Sequence, residues 1–498
     1  MTLAMLSTLH PPIVWRHFAT LCHIPRPSKQ EAELRDHLID WAQQQGLTYE
    51  VDAVGNLLLR KPASPGCESA PGVVLQGHLD MVCQKNEGVD HDFSRDPIQA
   101  VIQDGWLRSP GTTLGADNGI GVALALAALE DRHLQHGPLE VLLTVDEEAG
   151  MGGAHGLQAD WLRGQLMLNL DTEEWGEFYM GCAGGLDVDI SRTCSPEVLT
   201  EHGARHLEVR LSGLRGGHSG VNIHEERGNA IKLLSRVLVH ACREHPQLRL
   251  VSCRGGTARN ALPREATAQL VCTGANPQDC MAQVSASLKR WEQQLQDELR
   301  GVDDHLQLHG VVTPCPPGPL KVLPRTEQAI WLDTLHAAPH GVFRMSQDVA
   351  GVVETSNNVG MLHLTPQGGD VNFMVRSLRD SGAQALADQI CSLWRLSGTQ
   401  ARQHGHYPGW APNPGSRLLK VCQDVYAREF GATSHVQVIH AGLECGLIGA
   451  KYPEMDMVSF GPTIRGAHAP GEGVDIASVD RCWQLLRAIL TTLAQPDH

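Results

Sequence analysis

The stretch "PLEVLLTVDEEAGMGG", residues 138–153, carries the reading on which the fold turns. Val141, Leu142 and Leu143 form an apolar run without polar alternation, the pattern of a strand covered on both faces. Asp146, Glu147 and Glu148 follow directly, where that strand must end. Adjacent like charges repel, and taking each out of water costs several kcal/mol unless something positive stands close. A buried strand that feeds a carboxylate cluster calls for cations.

Outward from this stretch, the same texture recurs. "GVVLQGHLD" (72–80) and "GQLMLNLDTEE" (164–174) read as buried strands, and "NGIGVALALAALED" (118–131), small and apolar throughout, as a helix. Near the C-terminal end, "RLLKVCQDVYAREFG" (417–431) and "DIASVDRCWQLLRAILTTLAQ" (475–495) read as helices, with "MDMVSFGP" (455–462) as a strand between them. Strands alternating with helices predict an α/β domain with a mostly parallel, mixed sheet and helices on both faces. We assign it to residues 1–186 and 408–498.

Between these segments, residues 187–407 change character and predict an inserted α+β lid domain. "RHLEVRLSGL" alternates like a half-buried strand, "RGNAIKLLSRVLVHACR" is helical, and "LRLVSCRGGTARNALPREATAQLVC" reads as strand, turn and strand. A second unit is expected to start at a helix over 281–300 and to continue through "HLQLHG", a helix over 325–338 and "VVETSNNVGMLHLTPQGGDVNFMVRSL". Asn-bearing turns expected at Arg259-Asn260 and Asn357-Asn358 suggest an internal duplication. Hinges are expected where the textures meet, at "AGGLD" (183–187) and "HYPGWAPNPG" (406–415), both rich in Gly or Pro.

Composition narrows the function. A chain of 498 residues exceeds one ordinary core, so two or more domains are expected. A formal net charge of −16 argues against nucleic acid or an anionic membrane surface as partner. No apolar run is long enough to span a bilayer. "MTLAMLSTLHPPIVWRHF" lacks a basic leader region and a clear cleavage site, so no signal peptide is expected. The 14 Cys include no C-x-x-C pair, which fits reduced thiols in a cytoplasmic protein better than a disulfide scaffold or a Cys-based zinc site.

Metal-ligand chemistry sits at the strand ends. His78 and Asp80 lie two apart and share one strand face. Glu147 and Glu148 follow the next strand, Asp171 follows "LMLNL", Asp117 opens the 118–131 helix, and His468 lies in the loop after "MDMVSF". Each has an ordinary explanation alone: Asp117 as a helix cap, His78 as a core histidine, the glutamate pair as a solvated loop, with surface solvation also expected for Asp146. Together they occupy the carboxyl ends of strands, where open α/β sheets bind ligands.

The motifs "GHLDMVCQK", "LGADNGIG", "TVDEEAGMGGA", "LNLDTEEWGE", "RGGHSG", "RGGTARNALP", "HAGLECG" and "SFGPTIRGAHAPGE" resemble the aminoacyl-histidine dipeptidases, or cytosol non-specific dipeptidases. These belong to the superfamily of two-zinc carboxypeptidases and deacylases, and the resemblance runs from about residue 10 to the end. Ala149 and Ala469 stand where many relatives would carry Thr or Ser, and neither position bears a ligand. The resemblance implies two zinc ions, with cobalt or manganese as possible substitutes, bridged by Asp117. His78 and Asp171 would complete one site, Glu148 and His468 the other. His nitrogen and carboxylate oxygen, without thiolate, independently suit a catalytic zinc pair.

It further implies that Glu147 is the general base and that Asp80 orients the His78 imidazole. His218, Asn260 and Arg376 would engage the substrate's carboxylate or developing oxyanion, and Glu444 its free α-amine. A cis peptide is implied between Asp117 and Asn118, and a homodimer is implied by relatives. The expected activity is hydrolysis of unblocked dipeptides, Xaa-His preferred. The rivals are an N-acyl amino acid deacylase or aminopeptidase of the same superfamily and a metal-retaining peptide-binding protein without turnover. A magnesium-dependent phosphoryl-transfer enzyme is disfavoured by the two His ligands and the lack of a phosphate-cradling Gly-Lys loop.

Overall fold

The computed structural model describes residues 5–200, 204–274, 276–315 and 318–495. The start of the stretch read as leaderless (residues 1–4) and the last three residues of the 408–498 segment lie outside the described residues. The chain forms two compact units. The first comprises residues up to Cys182, Trp410–Val438 and the chain from Leu443 onward; the second comprises Ala183–Gly409 and Ile439–Gly442. Two of the boundaries fall within the Gly- and Pro-rich stretches at 183–187 and 406–415. The short excursion at 439–442 has no counterpart in the sequence reading.

The first unit is built on eight strands: β1 (Thr48–Val51), β2 (Leu57–Lys61), β3 (Val73–His78), β4 (Leu139–Thr144), β5 (Leu166–Asn169), β6 (Glu177–Cys182), β7 (His435–Ile439) and β8 (Asp456–Ser459). Their order in the sheet is β1-β2-β4-β3-β5-β8-β6-β7. β4, β3, β5 and β8 run parallel, whereas β1, β2 and β6 pair antiparallel with their neighbours. Every residue of β3 and β4 is buried, which is why both read as mostly apolar segments without polar alternation, interrupted by Gln76 and Glu140. Helix α1 (Ala116–Glu130) packs on β3 and is buried almost all round, as its lack of a polar face requires. Its close approach depends on glycine: a Cβ on Gly121 would come within 2.2 Å of the Leu170 carbonyl oxygen, next to Asp171. A separate four-stranded sheet contains Ile464–Arg465 and Gly473–Asp475, an antiparallel pair that flanks the loop bearing His468.

The second unit is a nine-stranded sheet with helices. Along Arg205–Ser212 and Ala266–Cys272, Leu207, Val209, Leu211, Ala268 and Leu270 enter a core shared with the helices Ala230–Glu244, Pro277–Glu298, Arg325–Ala337 and Asp380–Leu396. Thr267 and Gln269, on the alternate positions, remain half-exposed. The strand order divides into two halves of equal pattern. Arg205–Ser212, a helix, Leu248–Gly255, Ala266–Cys272, a helix and Gln307–Pro314 make one half. Gly184–Thr193, a helix, Val353–Thr365, Gly368–Ser377, a helix and Ala401–Tyr407 make the other. They join where Leu248–Gly255 pairs antiparallel with Val353–Thr365.

This arrangement corrects two expectations. The helix expected at 281–300 (observed Pro277–Glu298) and the strand after it complete the first half rather than beginning the second, because Gln307–Pro314 pairs along its length with Arg205–Ser212. Asn357-Asn358 is not a turn but the buried middle of a long strand. Its amides serve as donors to backbone carbonyls: Asn357 Nδ2 donates to Pro339, and Asn358 Nδ2 to Arg259 and Ala261. The turn at Arg259-Asn260 is present.

Candidate metal centre

Strand polarity assembles the site in the first unit. β3 ends on His78; the chain leaving β4 carries Glu147 and Glu148, that leaving β5 carries Asp171, and that leaving β8 reaches His468. Asp117 lies at a kink in the first turn of α1, with non-helical dihedrals, and the Asp117–Asn118 peptide is cis. Its carboxylate faces two ways: Oδ1 is 3.2 Å from His78 Nε2, and Oδ2 is 3.2 Å from His468 Nε2. Asp171 lies 3.4 Å from His78, and Glu148 lies 3.2 Å from His468. Ligand atoms of His78, Asp117 and Asp171 converge within 4.8 Å of one another, and so do those of Asp117, Glu148 and His468.

Charge is concentrated here. Burial, with Asp117 and Glu444 nearby, pushes Asp171 up to about 8 against the pull of His78. Glu147 is raised by burial and by Asp171, Glu444 and Glu148. His468 is raised to about 11 by its bonds to Asp117 and Glu148. For His78, burial opposes charge, but Asp171, Asp117 and Asp80 outweigh it and raise its pKa. Asp117 is held well below the carboxylate range, its burial overcome by the two imidazoles. Buried Glu148 Oε1 has no hydrogen-bond partner among the described residues. An unpartnered acceptor within two overlapping imidazole–carboxylate sets fits a pair of divalent cations.

Residues 74–492 match the profile of the peptidase family M20/M25/M40. The chain belongs to this peptidase family. It is 45% identical over 486 residues to the cytosol non-specific dipeptidase of Escherichia coli strain K12, covering 97% of this chain and 98% of that one. The crystal structure of aminoacylhistidine dipeptidase from Vibrio alginolyticus is similar over 98% of both chains, with 44% identity and a TM-score of 0.88. The aminopeptidase PepT of Bacillus cereus shares the fold at 16% identity and a TM-score of 0.56, over 98% of this chain and 100% of that one.

Asp80 reaches beyond the His78 imidazole. His78 Nδ1 is 3.1 Å from the Asp80 carbonyl and 3.4 Å from its carboxylate. That carboxylate also accepts the backbone N–H groups of Glu147 (3.0 Å) and Glu148 (3.1 Å) and the Ser28 hydroxyl. Asp80 thereby ties the turn after β4 to the end of β3. Asp146 is not a solvated surface group: it is half-buried, has a left-handed φ of 56°, and donates its N–H to Glu31. It forms the corner that turns the chain from β4 toward the ligands. Glu444 is fully buried; Oε2 accepts from Gln76 Nε2 and Thr144 Oγ1, while Oε1 has no partner among the described residues.

The second unit brings its three candidate residues together. Gly217–His218 pairs with Ala261–Leu262, and Ser219 N–H donates to the Asn260 carbonyl. His218 Nδ1 accepts two backbone N–H groups, from Gly220 and Val221, so its proton belongs on Nε2. Burial and Arg376 lower the pKa of His218 to about 4 and keep it neutral. Its Nε2 lies 3.4 Å from Arg376 Nη2, and Arg376 Nη1 donates to the Tyr407 hydroxyl. Two donors converge on one space, an arrangement made for an anion.

Sequence reading missed Arg26, Asn118 and Glu472. Asn118 accepts the His78 N–H and donates to the Leu170 carbonyl, joining two ligand segments. It lies inside the "LGADNGIG" motif, and Glu472 closes "SFGPTIRGAHAPGE"; motif membership was the available signal. Arg26 lies in neither motif, and nothing local marks it.

Proposed function

We propose that the chain hydrolyses unblocked dipeptides, Xaa-His among them, at two divalent cations, zinc by donor chemistry, with cobalt or manganese able to substitute. The carrying observation is Asp117, whose two carboxylate oxygens each face one imidazole at 3.2 Å. His78, Asp117 and Asp171 would hold one cation, and Asp117, Glu148 and His468 the other. When bound, such a pair activates water and polarises the scissile carbonyl. Glu147 is assigned the proton chemistry: it accepts a proton from the attacking water and delivers it to the leaving amine. Asp80 fixes Glu147 and His78 relative to each other through the bonds described above.

Arg376 and the Nε2–H of His218 bind the substrate carboxylate or the developing oxyanion, with Asn260 beside them. The unpartnered oxygen of Glu444 is the acceptor for a free α-amine. An acceptor for a free α-amine favours an unblocked dipeptide over an N-acyl amino acid, whose nitrogen is blocked. The lack of any C-x-x-C pair among the 14 Cys and the similarity to a cytosol dipeptidase support a cytoplasmic location. A homodimer is supported by the Gln307–Pro314 edge strand, where Val311 is 55% exposed.

The test is hydrolysis of dipeptides, N-acyl amino acids and aminoacyl amides with and without chelator. Chelator-sensitive turnover is expected for unblocked dipeptides, and Arg376→Ala should cost about 2–4 kcal/mol in kcat/KM, comparable to loss of one oxyanion donor. Preference for N-acyl substrates would reassign the chain to the deacylases, and wild-type kinetics from Arg376→Ala would remove the anion site.

A further inference from the structure

The turn of chain that leads into α1 and carries Asp117 has no local side-chain cap. α1 begins with Gly115 as N-cap, without any side-chain cap. A serine or aspartate is the ordinary solution there, but Gly115 has a φ of +70°, and a Cβ would come within 2.5 Å of Arg26 Nη2 and 2.7 Å of Met81 Sδ. The space for a local cap is filled by a guanidinium.

Two buried charges from distant parts of the first unit take over. Glu472, 2% exposed, accepts four successive backbone N–H groups. Oε2 takes those of Leu114 (2.7 Å) and Gly115 (2.9 Å), and Oε1 those of Ala116 (2.8 Å) and Asp117 (3.2 Å). Arg26, also 2% exposed, donates to the carbonyls of Leu79 (3.0 Å), Asp80 (2.9 Å) and Gly115 (2.5 Å). Burying such groups is costly unless hydrogen bonds offset it; Arg26 Nε has no partner among the described residues, but the bonds of its two terminal nitrogens and of the Glu472 carboxylate run to backbone flanking the candidate ligands. Arg26 links the segment of His78 to the loop of Asp117. Glu472, four residues after His468, links the same loop to the segment of His468.

We infer that Arg26 and Glu472 are positioning residues of the metal centre, holding the segments of His78, Asp117 and His468 in the register that lets Asp117 face both imidazoles. The inference rests on the two-cation reading of the site. Neither residue is a ligand: each acts through backbone, and a shift of the Asp117 loop would move the bridging carboxylate away from one imidazole as it approached the other. Groups that orient ligands in this way typically change metal affinity or activity by about 10–100-fold when removed.

The test uses Glu472→Gln, which sets an amide donor against backbone N–H groups, and Arg26→Lys, which keeps the charge but loses the guanidinium fork. Metal-free protein is titrated calorimetrically with zinc, and kcat, KM and the melting temperature of the metal-free form are measured beside wild type. Zinc affinity lower by about 10–100-fold and a matching fall in kcat, with KM and the metal-free fold retained, is the expected result. Wild-type affinity and kcat in either folded variant would overturn the inference. Unfolding of both metal-free variants would also overturn it, assigning the pair to the fold alone. A wild-type chain that does not take up two zinc ions would instead overturn the two-cation reading, so the two failures are separable.

Discussion

Glu147 and Glu148 are neighbours in the chain with different surroundings. Glu148 lies 3.2 Å from His468 and has an unpartnered oxygen, whereas Glu147 stands among Asp171, Glu444 and Glu148, which raise its pKa together with burial. Their order after β4 was legible as a pair of carboxylates, but the division of labour between them was carried by resemblance alone. It is testable at this scale. Glu147→Ala should lower kcat by about 10²–10⁴-fold while two metal equivalents per chain are retained, as measured by kinetics and metal analysis. Loss of metal from that variant would exchange the roles of the two glutamates. Asp146, third in the same run, was not legible: its left-handed corner is imposed by how the chain must turn, which no property of an aspartate announces.

At the scale of elements, α1 and β3 read directly from sequence because burial on all sides leaves a mostly apolar pattern without a polar face. Their mutual distance did not, although glycine sets it. Gly121 brings α1 against the Leu170 carbonyl, one residue before Asp171. Gly121→Ala must push helix and ligand segment apart, and overpacking of this kind costs about 1–3 kcal/mol. Denaturant unfolding should show that loss, together with weaker zinc binding because Asp171 moves with its strand end. Normal stability and affinity would mean that α1 can shift without disturbing the site. In the second unit, individual strands and helices were also legible, whereas their assignment to halves was not, because the pairing of Gln307–Pro314 with Arg205–Ser212 spans about a hundred residues of chain.

At the scale of the whole molecule, the first unit gathers Asp80, Asp117, Glu147, Glu148, Asp171 and Glu444 against two imidazoles in a chain whose formal net charge is already −16. Cations that bind only the folded state stabilise it by mass action, by about 4 kcal/mol at a thousandfold excess over Kd. Chelation should therefore lower the melting temperature, and added zinc should restore it; a melting temperature indifferent to chelator would argue that the carboxylates are balanced without metal. By itself the sequence pointed to most of the strand and helix segments, to a division of the chain near residues 187 and 407, and to a set of imidazoles and carboxylates that could hold metal. These follow from local pattern and from residue chemistry carried at strand ends. Only the tertiary structure decided that Asp117 turns one oxygen to each imidazole, that His218 and Arg376 converge as opposed donors, and that Arg26 and Glu472 grip one loop from opposite ends of the chain. Those relations depend on distances between segments far apart in sequence, which are settled by packing and by the need of buried charges for partners.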